Sequence, residues 1–339
     1  MSSSRARLRV AVTGPTGTFG FGLIPLLQES PRISQIIGIA RRPFDPAAHG
    51  WSKMRYRQGD VRDPEALQEA FADCDVVVHL AFMITGNAEA KTIRAINVDG
   101  TLNVFRAARE AGAERFVYAS SVAAYGFHAD NPVGMKEDWP VRPAARLFYA
   151  REKAEIEHLL GEEADGAAKP ALYLVRPPIV LGPNAMGAKG ALPAPVTGAG
   201  RRLLDALARL PVPVPAFAPG VPVQLIHEDD VGQALLKCVL KEGPPGAYNI
   251  AADDVLTGAD IVRELGLAPL PMPSRLVHRA ARVASALPKP PFTPPAADWI
   301  EAASHPAIMD TTKAKRELGW EPKYTAIEAL RATLKSSRS

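Results

Sequence analysis

The segment Leu8-Arg9-Val10-Ala11-Val12-Thr13 runs directly into Gly14-Pro15-Thr16-Gly17-Thr18-Phe19-Gly20 and then into the apolar stretch 21–28. A β-branched run, a glycine-rich turn and an apolar helix constrain the chain more than any other feature. Together they specify a βα unit whose turn can admit a phosphate. Gly14 permits the tight turn, Gly17 lets the backbone approach a pyrophosphate, and Gly20 lets the helix pack closely on the strand. The helix N-terminus adds free N–H groups and the positive end of its dipole. The spacing G-x-x-G-x-x-G is one residue longer than the usual dinucleotide form. On these residues alone, a purely structural βα turn is the alternative.

The next 150 residues repeat the unit. Strands are expected at 36–40, 54–58, 75–81, 115–119 and 171–176, and helices at 64–71, 92–111 and 145–160. The run Asp75-Val76-Val77-Val78-His79-Leu80-Ala81 is almost wholly apolar, as strands covered on both faces are. The alternation predicts an α/β fold, a Rossmann-type doubly wound parallel sheet. Ligands in such sheets bind beyond the carboxyl ends of the strands, where the glycine turn, Ala81, Ser120 and Ser121 all fall.

After Gly161 the character changes. Residues 184–222 and 269–295 are rich in Pro, with helical patches at 201–209 and 274–287. They predict a smaller, Pro-rich C-terminal substrate lobe lined by Leu192, Val196, Val212, Val214 and Phe217, with a loosely ordered crossover as the alternative. Between and beyond them come a strand at 223–227, a helix at 229–241, a strand at 247–251 and helices at 257–265, 311–318 and 326–334. The expected division is a dinucleotide-binding domain at 1–175, with interleaved segments about 223–252, and mainly the lobe at 176–339.

Composition narrows the function classes. Of 339 residues, 47% are hydrophobic and 22% charged, a balance that suits a globular fold. The net charge of +4 is dispersed, with no basic run, so no nucleic-acid partner is indicated. No apolar run reaches about 18 residues, so no membrane span is expected. The N-terminus carries no signal-peptide pattern. Cys74 and Cys238 are the only cysteines and lie far apart, which predicts reduced, buried thiols, no metal site and a cytoplasmic protein.

Two further features carry chemistry. Tyr149 and Lys153 are four apart in a helical run, which puts both on one face. A nearby ammonium stabilises phenolate, so Tyr149 is expected to ionise below its ordinary value of about 10 and to exchange protons near neutral pH. A solvated helix face is the plain alternative. At the end of the second strand, where an acid would hold the ribose of NAD, stand Arg41 and Arg42. Two guanidiniums favour a 2′-phosphate, hence NADP over NAD. The competing reading is solvated loop charge.

The motifs, in order, resemble those of the extended short-chain dehydrogenase/reductases, the NAD-dependent epimerase/dehydratase family. The likeness rests on the glycine turn, Gly59-Asp60-Val61, His79-Leu80-Ala81, Asn97-Val98-Asp99-Gly100-Thr101 and Ser120-Ser121-Val122-Ala123-Ala124-Tyr125-Gly126. It continues with Tyr149 and Lys153, Arg176 through Pro183, Ile226-His227-Glu228-Asp229-Asp230-Val231 and Leu318-Gly319-Trp320-Glu321-Pro322. It implies Tyr149 as acid/base, Lys153 as the cation that lowers its pKa and holds the nicotinamide ribose, and Ser121 as the hydroxyl on the reacting oxygen. Hydride would pass between substrate carbon and nicotinamide as Tyr149 moves the proton. The resemblance places Gly14, Thr16, Gly17, Phe19, Gly20, Arg41, Arg42, Asp60, Val61, Leu80, Ala81, Asn97, Pro177, Ile179 and Val180 around the cofactor with Tyr149 and Lys153. Asp60 and Val61 would touch adenine, Asn97 would prop the active-site helix, and His227 is expected to be structural. A homodimer through the helices at 92–111 and 145–160 is also implied.

The departures redirect the substrate. Sugar-nucleotide enzymes of this family carry arginines for the substrate diphosphate. None stands in Val221-Pro222-Val223-Gln224-Leu225-Ile226-His227 or in Asp298-Trp299-Ile300-Glu301. Ser121 is followed by Val122 rather than an acid, which argues against dehydratase chemistry. The leading expectation is hydride transfer at a hydroxyl or carbonyl of a small non-nucleotide substrate. The alternatives are a sugar-nucleotide epimerase, with Arg201 or Arg202 supplying the missing charge, and a non-catalytic dinucleotide-binding sensor or scaffold.

Overall fold

A computed structural model describes residues 7–84, 89–145, 147–166, 169–185, 214–272 and 305–336. The first half alternates β1 (Leu8–Thr13), α1 (Thr18–Glu29), β2 (Ile33–Ala40), β3 (Met54–Gln58), α2 (Pro64–Phe71) and β4 (Val76–His79). Helices α3 (Ala90–Arg94) and α4 (Gly100–Glu110) come next, joined through a π turn at Ala95–Asp99, and then β5 (Arg115–Ala119), α5 (Phe148–Ala164) and β6 (Ala171–Arg176). After these lie β7 (Ile179–Leu181), β8 (Pro215–Pro219), β9 (Val223–His227), α6 (Glu228–Val239) and β10 (Gly246–Asn249). The described chain closes with β11 (Val255–Leu256), α7 (Gly258–Glu264), β12 (Ala268–Met272), α8 (Thr312–Leu318) and α9 (Ala326–Ser336).

Seven parallel strands form the central sheet in the order β10-β6-β5-β4-β1-β2-β3. The order reverses at β1, so the doubly wound topology read from the alternation is the one observed. Side chains alternate across each strand. Val10 and Val12 therefore face α1 and α6 with Leu23, Ile24, Leu27, Val231 and Leu235, while Ala11 and Val77 face Phe105, Phe116, Ile156 and Leu160. Each such buried aliphatic contributes about 1.5–3 kcal/mol through removal from water. Helices α1 and α6 touch backbone to backbone. A Cβ on Gly22 would lie 2.2 Å from the Glu228 carbonyl oxygen, and one on Gly232 would lie 2.1 Å from that of Gly22.

Of the stretch 223–252, α6 and β10 join the central unit, but β9 pairs with β7 and β11 in a separate three-stranded sheet. That sheet packs on α9 through Leu181, Leu225, Leu256, Ala326 and Leu330. A parallel pair, β8 with β12, sets Phe217 beside Leu270. Phe217, expected to line the lobe, is 69% exposed. Leu192, Val196 and Val212, the helical patches at 201–209 and 274–287, and Arg201 and Arg202 lie outside the described residues.

Two of the departures from the expectations above bear on the site. Helix α1 begins at Thr18 rather than 21, because the turn itself supplies its N-cap, Gly17. The helix expected at 92–111 is interrupted by the π turn, whose wider coil turns Ile96, Asn97 and Val98 all inward.

Candidate active site

Gly14 sits at φ +71°, and a Cβ there would lie 2.8 Å from the Ala81 amide nitrogen. Only glycine suits that backbone and that approach. Gly20 is equally constrained, but by the turn: its Cβ would lie 2.0 Å from the Pro15 carbonyl oxygen. The expected packing of Gly20 on the strand is thus a packing on Pro15. At Gly17 a Cβ would come no nearer than 3.5 Å to the Gly14 oxygen, an ordinary contact, so the fold itself does not require glycine here. No side chain caps α1, and its first turn carries no acid. A glycine turn at a helix terminus with no side-chain cap and no acid in its first turn fits the pyrophosphate of a dinucleotide. Thr16 is half-buried beside it, and Phe19 packs against the core. Leu80 and Ala81 press their backbone on Gly14.

Asp60, which the resemblance puts beside adenine, is already bonded within the chain. Asp60 accepts Arg62 Nε at 3.0 Å and another Arg62 nitrogen at 2.7 Å. These bonds hold its carboxyl below the usual range, with the Arg41 guanidinium a lesser contributor. Val61 turns into the core under Gly100. Arg41 and Arg42 are exposed, and their carbonyls are tied by Gln58 and Tyr56. On the opposite side, Pro177 accepts the Val122 N–H at 2.9 Å, Ile179 is 47% exposed and Val180 is half-buried.

Ser121 stands two residues beyond β5, caps the short turn Val122–Tyr125 and bonds to half-buried Tyr149. Lys153, 3% exposed, donates to the Ala119 carbonyl at 2.7 Å and to the Tyr118 hydroxyl at 3.1 Å. Its nitrogen lies 3.9 Å from the centre of the Phe82 ring and 5.9 Å from that of Tyr149. Phe82 meets Tyr149 edge to face, with centres 5.4 Å apart. The structure therefore corrects one expectation. Burial raises the Tyr149 pKa above its ordinary value, and the Ser121 bond only partly opposes this. The i, i+4 spacing does put both residues on one face. Yet the lysine reaches past the phenol to the sheet, and burial lowers its own pKa to about 7, with Glu157 and Glu152 acting against the fall.

A buried polar layer backs these groups. The Asn97 amide nitrogen donates to Glu152 at 2.7 Å and to the Met83 carbonyl at 3.0 Å, while its oxygen accepts the Met83 N–H at 2.7 Å. Asn97 is fully buried. His79 lies between Thr13 at 2.6 Å and Thr101 at 2.9 Å. Thr101 spends its one proton on the Asn97 carbonyl, so His79 must donate from Nε2 and accept Thr13 at Nδ1. Burial, and secondarily the Lys153 charge, lowers its pKa to about 3. One turn beyond Lys153, Glu157 pairs with Arg176 at 2.9 and 2.5 Å and accepts the Ser120 hydroxyl. Arg176 also donates to Tyr125, which donates to Asn249 at 2.8 Å.

The sequence model described as the NAD dependent epimerase/dehydratase family matches residues 10–251. The chain belongs to that family. Among curated proteins, it is 27% identical to the uncharacterized protein Rv0501 of Mycobacterium tuberculosis over 325 residues, 94% of this chain and 81% of that one. Its fold is similar to that of a dTDP-glucose 4,6-dehydratase from Bacillus anthracis solved with NAD (TM-score 0.71, 17% identity, 98% and 96% of the two chains). It is also similar to a UDP-glucose 4-epimerase from Thermotoga maritima solved with UDP-glucose (TM-score 0.70, 21% identity, 98% and 99%).

Three contributors are hidden in the sequence. Phe82 reads as an ordinary apolar residue after a strand. Glu157 reads as one acid among several on a helix. Arg176 stands out only as part of a motif. For Glu157 there is a signal, the eight-residue spacing from Tyr149 that keeps it on the inner face. His227 caps α6 by accepting the Asp229 N–H and stacks on Tyr324 at 4.0 Å. Among the described residues, no group of acids, histidines and cysteines could hold a metal, and no helix is long and apolar enough to cross a membrane.

Proposed function

We propose that this chain is an NADP-preferring dehydrogenase or reductase acting at a hydroxyl or carbonyl of a small non-nucleotide substrate. The observation that carries the reading is the convergence of Ser121, Tyr149 and Lys153 at the carboxyl end of β5, in the same parallel sheet whose β1 ends in the glycine turn. A bound nicotinamide would supply or accept the hydride. The protein's part is alignment and proton handling. Ser121 would hold the substrate oxygen beside the Tyr149 hydroxyl. Tyr149 would give or take the proton on that oxygen. Lys153 would lend its charge to this exchange as it protonates, and would hold a ribose by turning one of its N–H groups away from Tyr118 or Ala119. Arg41 and Arg42, exposed at the end of β2, would receive a 2′-phosphate.

The substrate class rests on what stands where diphosphate arginines are expected. Gln224 is buried and committed to the Met309 backbone, donating at 3.0 Å and accepting at 2.8 Å. Val223 beside it is uncharged. Among the described residues, this position offers a dianion no guanidinium. A second reading, a sugar-nucleotide epimerase, is favoured by the UDP-glucose complex among the structural relatives.

Purified protein, free of added cofactor, separates these readings. Reversible binding of NADPH in preference to NADH, with turnover of carbonyls or alcohols that Tyr149→Phe abolishes while cofactor affinity is kept, supports the reductase. Tightly retained, non-exchanging dinucleotide and turnover of a nucleotide sugar would replace it with the epimerase. Reversible binding without turnover across a broad panel would indicate a sensor or scaffold.

A further inference from the structure

The ammonium of Lys153 has three N–H groups. Two are taken by Tyr118 and Ala119, at 3.1 and 2.7 Å. The remaining side of the nitrogen faces the Phe82 ring, whose centre is 3.9 Å away. An aromatic face attracts a cation through its quadrupole, and the effect grows when water is excluded. The same ring meets Tyr149 edge to face, so one side chain touches both members of the pair.

Its placement is enforced. Asn97 clamps the backbone of Met83, the residue after Phe82, by donating to its carbonyl and accepting its N–H. The same amide group donates to Glu152, the residue before Lys153. One buried side chain thus holds Phe82 from one side and Lys153 from the other.

We propose that Phe82 is a positioning residue of this site: its ring face keeps the Lys153 ammonium seated on Tyr118 and Ala119, and its edge keeps the Tyr149 phenol in line with Ser121. This deepens the reductase reading and rests on it for its catalytic meaning, but the ring–ammonium contact is testable without substrate.

The ring acts on Lys153 in two opposed ways. Its quadrupole favours the cation, while its bulk keeps water out and disfavours the cation. The other groups facing this nitrogen are Tyr118 from β5, His79 from β4, and Glu152, Glu157 and Tyr149 from α5, with Arg176 of β6 already paired to Glu157. None of them changes when Phe82 is replaced. Two substitutions separate the two actions. Phe82→Leu keeps an apolar cover and removes the quadrupole, so the Lys153 pKa should fall further, by roughly half a unit to one unit. Phe82→Ala admits water, so it should rise toward the ordinary lysine value.

The measurement is an NMR titration of protein carrying labelled lysine side chains, with the Lys153 signal identified by its loss in Lys153→Met. Opposite shifts in the two variants support the proposal. No shift, or shifts of one sign, overturn it. If Phe82→Ala does not fold, Phe82→Leu decides alone: a fall supports the proposal, and no change or a rise overturns it. With a substrate in hand, the pH profile of kcat should move with the titration while KM for the cofactor stays within about threefold. Absence of any turnover would count against the reductase reading and leave the titration result standing.

Discussion

Arg176 and Glu157 form a two-pronged ion pair, at 2.9 and 2.5 Å, with each side chain 5% exposed. The pair ties the end of β6 to the helix that carries Tyr149 and Lys153. Its two ends reach Ser120 and Tyr125, which flank Ser121 and its turn. Removing one partner would strand a buried charge. Arg176→Met should therefore cost about 3–5 kcal/mol, read as a lower midpoint in urea unfolding. The double variant Arg176→Met with Glu157→Leu should recover part of that loss. A single variant as stable as the parent would show that the pair is not held in the folded protein.

The glycines of the first turn should separate cleanly. Gly20→Ala pushes a Cβ to 2.0 Å from the Pro15 oxygen, and Gly14→Ala combines φ +71° with 2.8 Å to Ala81. Both should destabilise by about 1–3 kcal/mol or more. Gly17→Ala meets nothing closer than 3.5 Å and should fold as the parent does, yet bind dinucleotide at least tenfold more weakly. Thermal unfolding beside cofactor titration checks both halves.

Arg41 and Arg42 are predicted to act on the cofactor alone. Replacing both by Ala should reduce NADPH affinity by one to two orders of magnitude, about 1.4–2.7 kcal/mol, and change NADH affinity by less than about threefold. Equal losses for the two cofactors would remove these residues from the 2′-phosphate.

Lys153 and His79 give the protein a pH signature. Burial lowers Lys153 to about 7, below its value in an unfolded chain. The unfolded state then binds more protons between about 7 and the ordinary lysine value of about 10.4, so this group adds stability as pH rises through that window. Lys153→Met should accordingly be the more stable protein at pH 7, with the difference closing toward pH 10. His79 at about 3 works the same way lower down. Its contribution is present above about 6.5 and is lost as pH falls toward 3. Unfolding free energies measured from pH 4 to 10 on the parent, Lys153→Met and His79→Phe would resolve the two windows.

Much of the fold is legible because it obeys local rules. Strands β1, β3, β5, β6 and β9 and helix α2 occupy the expected residues: β1, β5 and β6 are short, largely apolar runs, and α2 opens on Pro64 after its Asp63 cap. The order of the sheet accords with alternation and handedness. The features that resist reading depend on where long side chains end up. Tyr149 and Lys153 share a helical face, but the ammonium is drawn to Ala119 and Tyr118, contacts that span 34 and 35 residues. No spacing rule reports that choice, and so the Tyr149 shift runs opposite to the direction that spacing alone suggests. Phe82 is a residue of the same kind, unremarkable in sequence and placed by a bond from Asn97 to its neighbour. The π turn, too, is a tertiary effect, in which a buried amide and its flanking apolar residues outweigh regular helical coiling.

Trp320 is fully buried in the cluster that contains Val10 and Leu23, and its indole donates to the Asp230 carbonyl at 2.9 Å. β10, the strand that borders β6, likewise arrives only at Gly246. During synthesis, then, the strands made first wait with a bare edge and an uncovered helix until the chain has emerged as far as Trp320. Assembly is therefore expected to come late, and a ribosome-stalled fragment ending near residue 200 should recruit chaperones rather than bind dinucleotide.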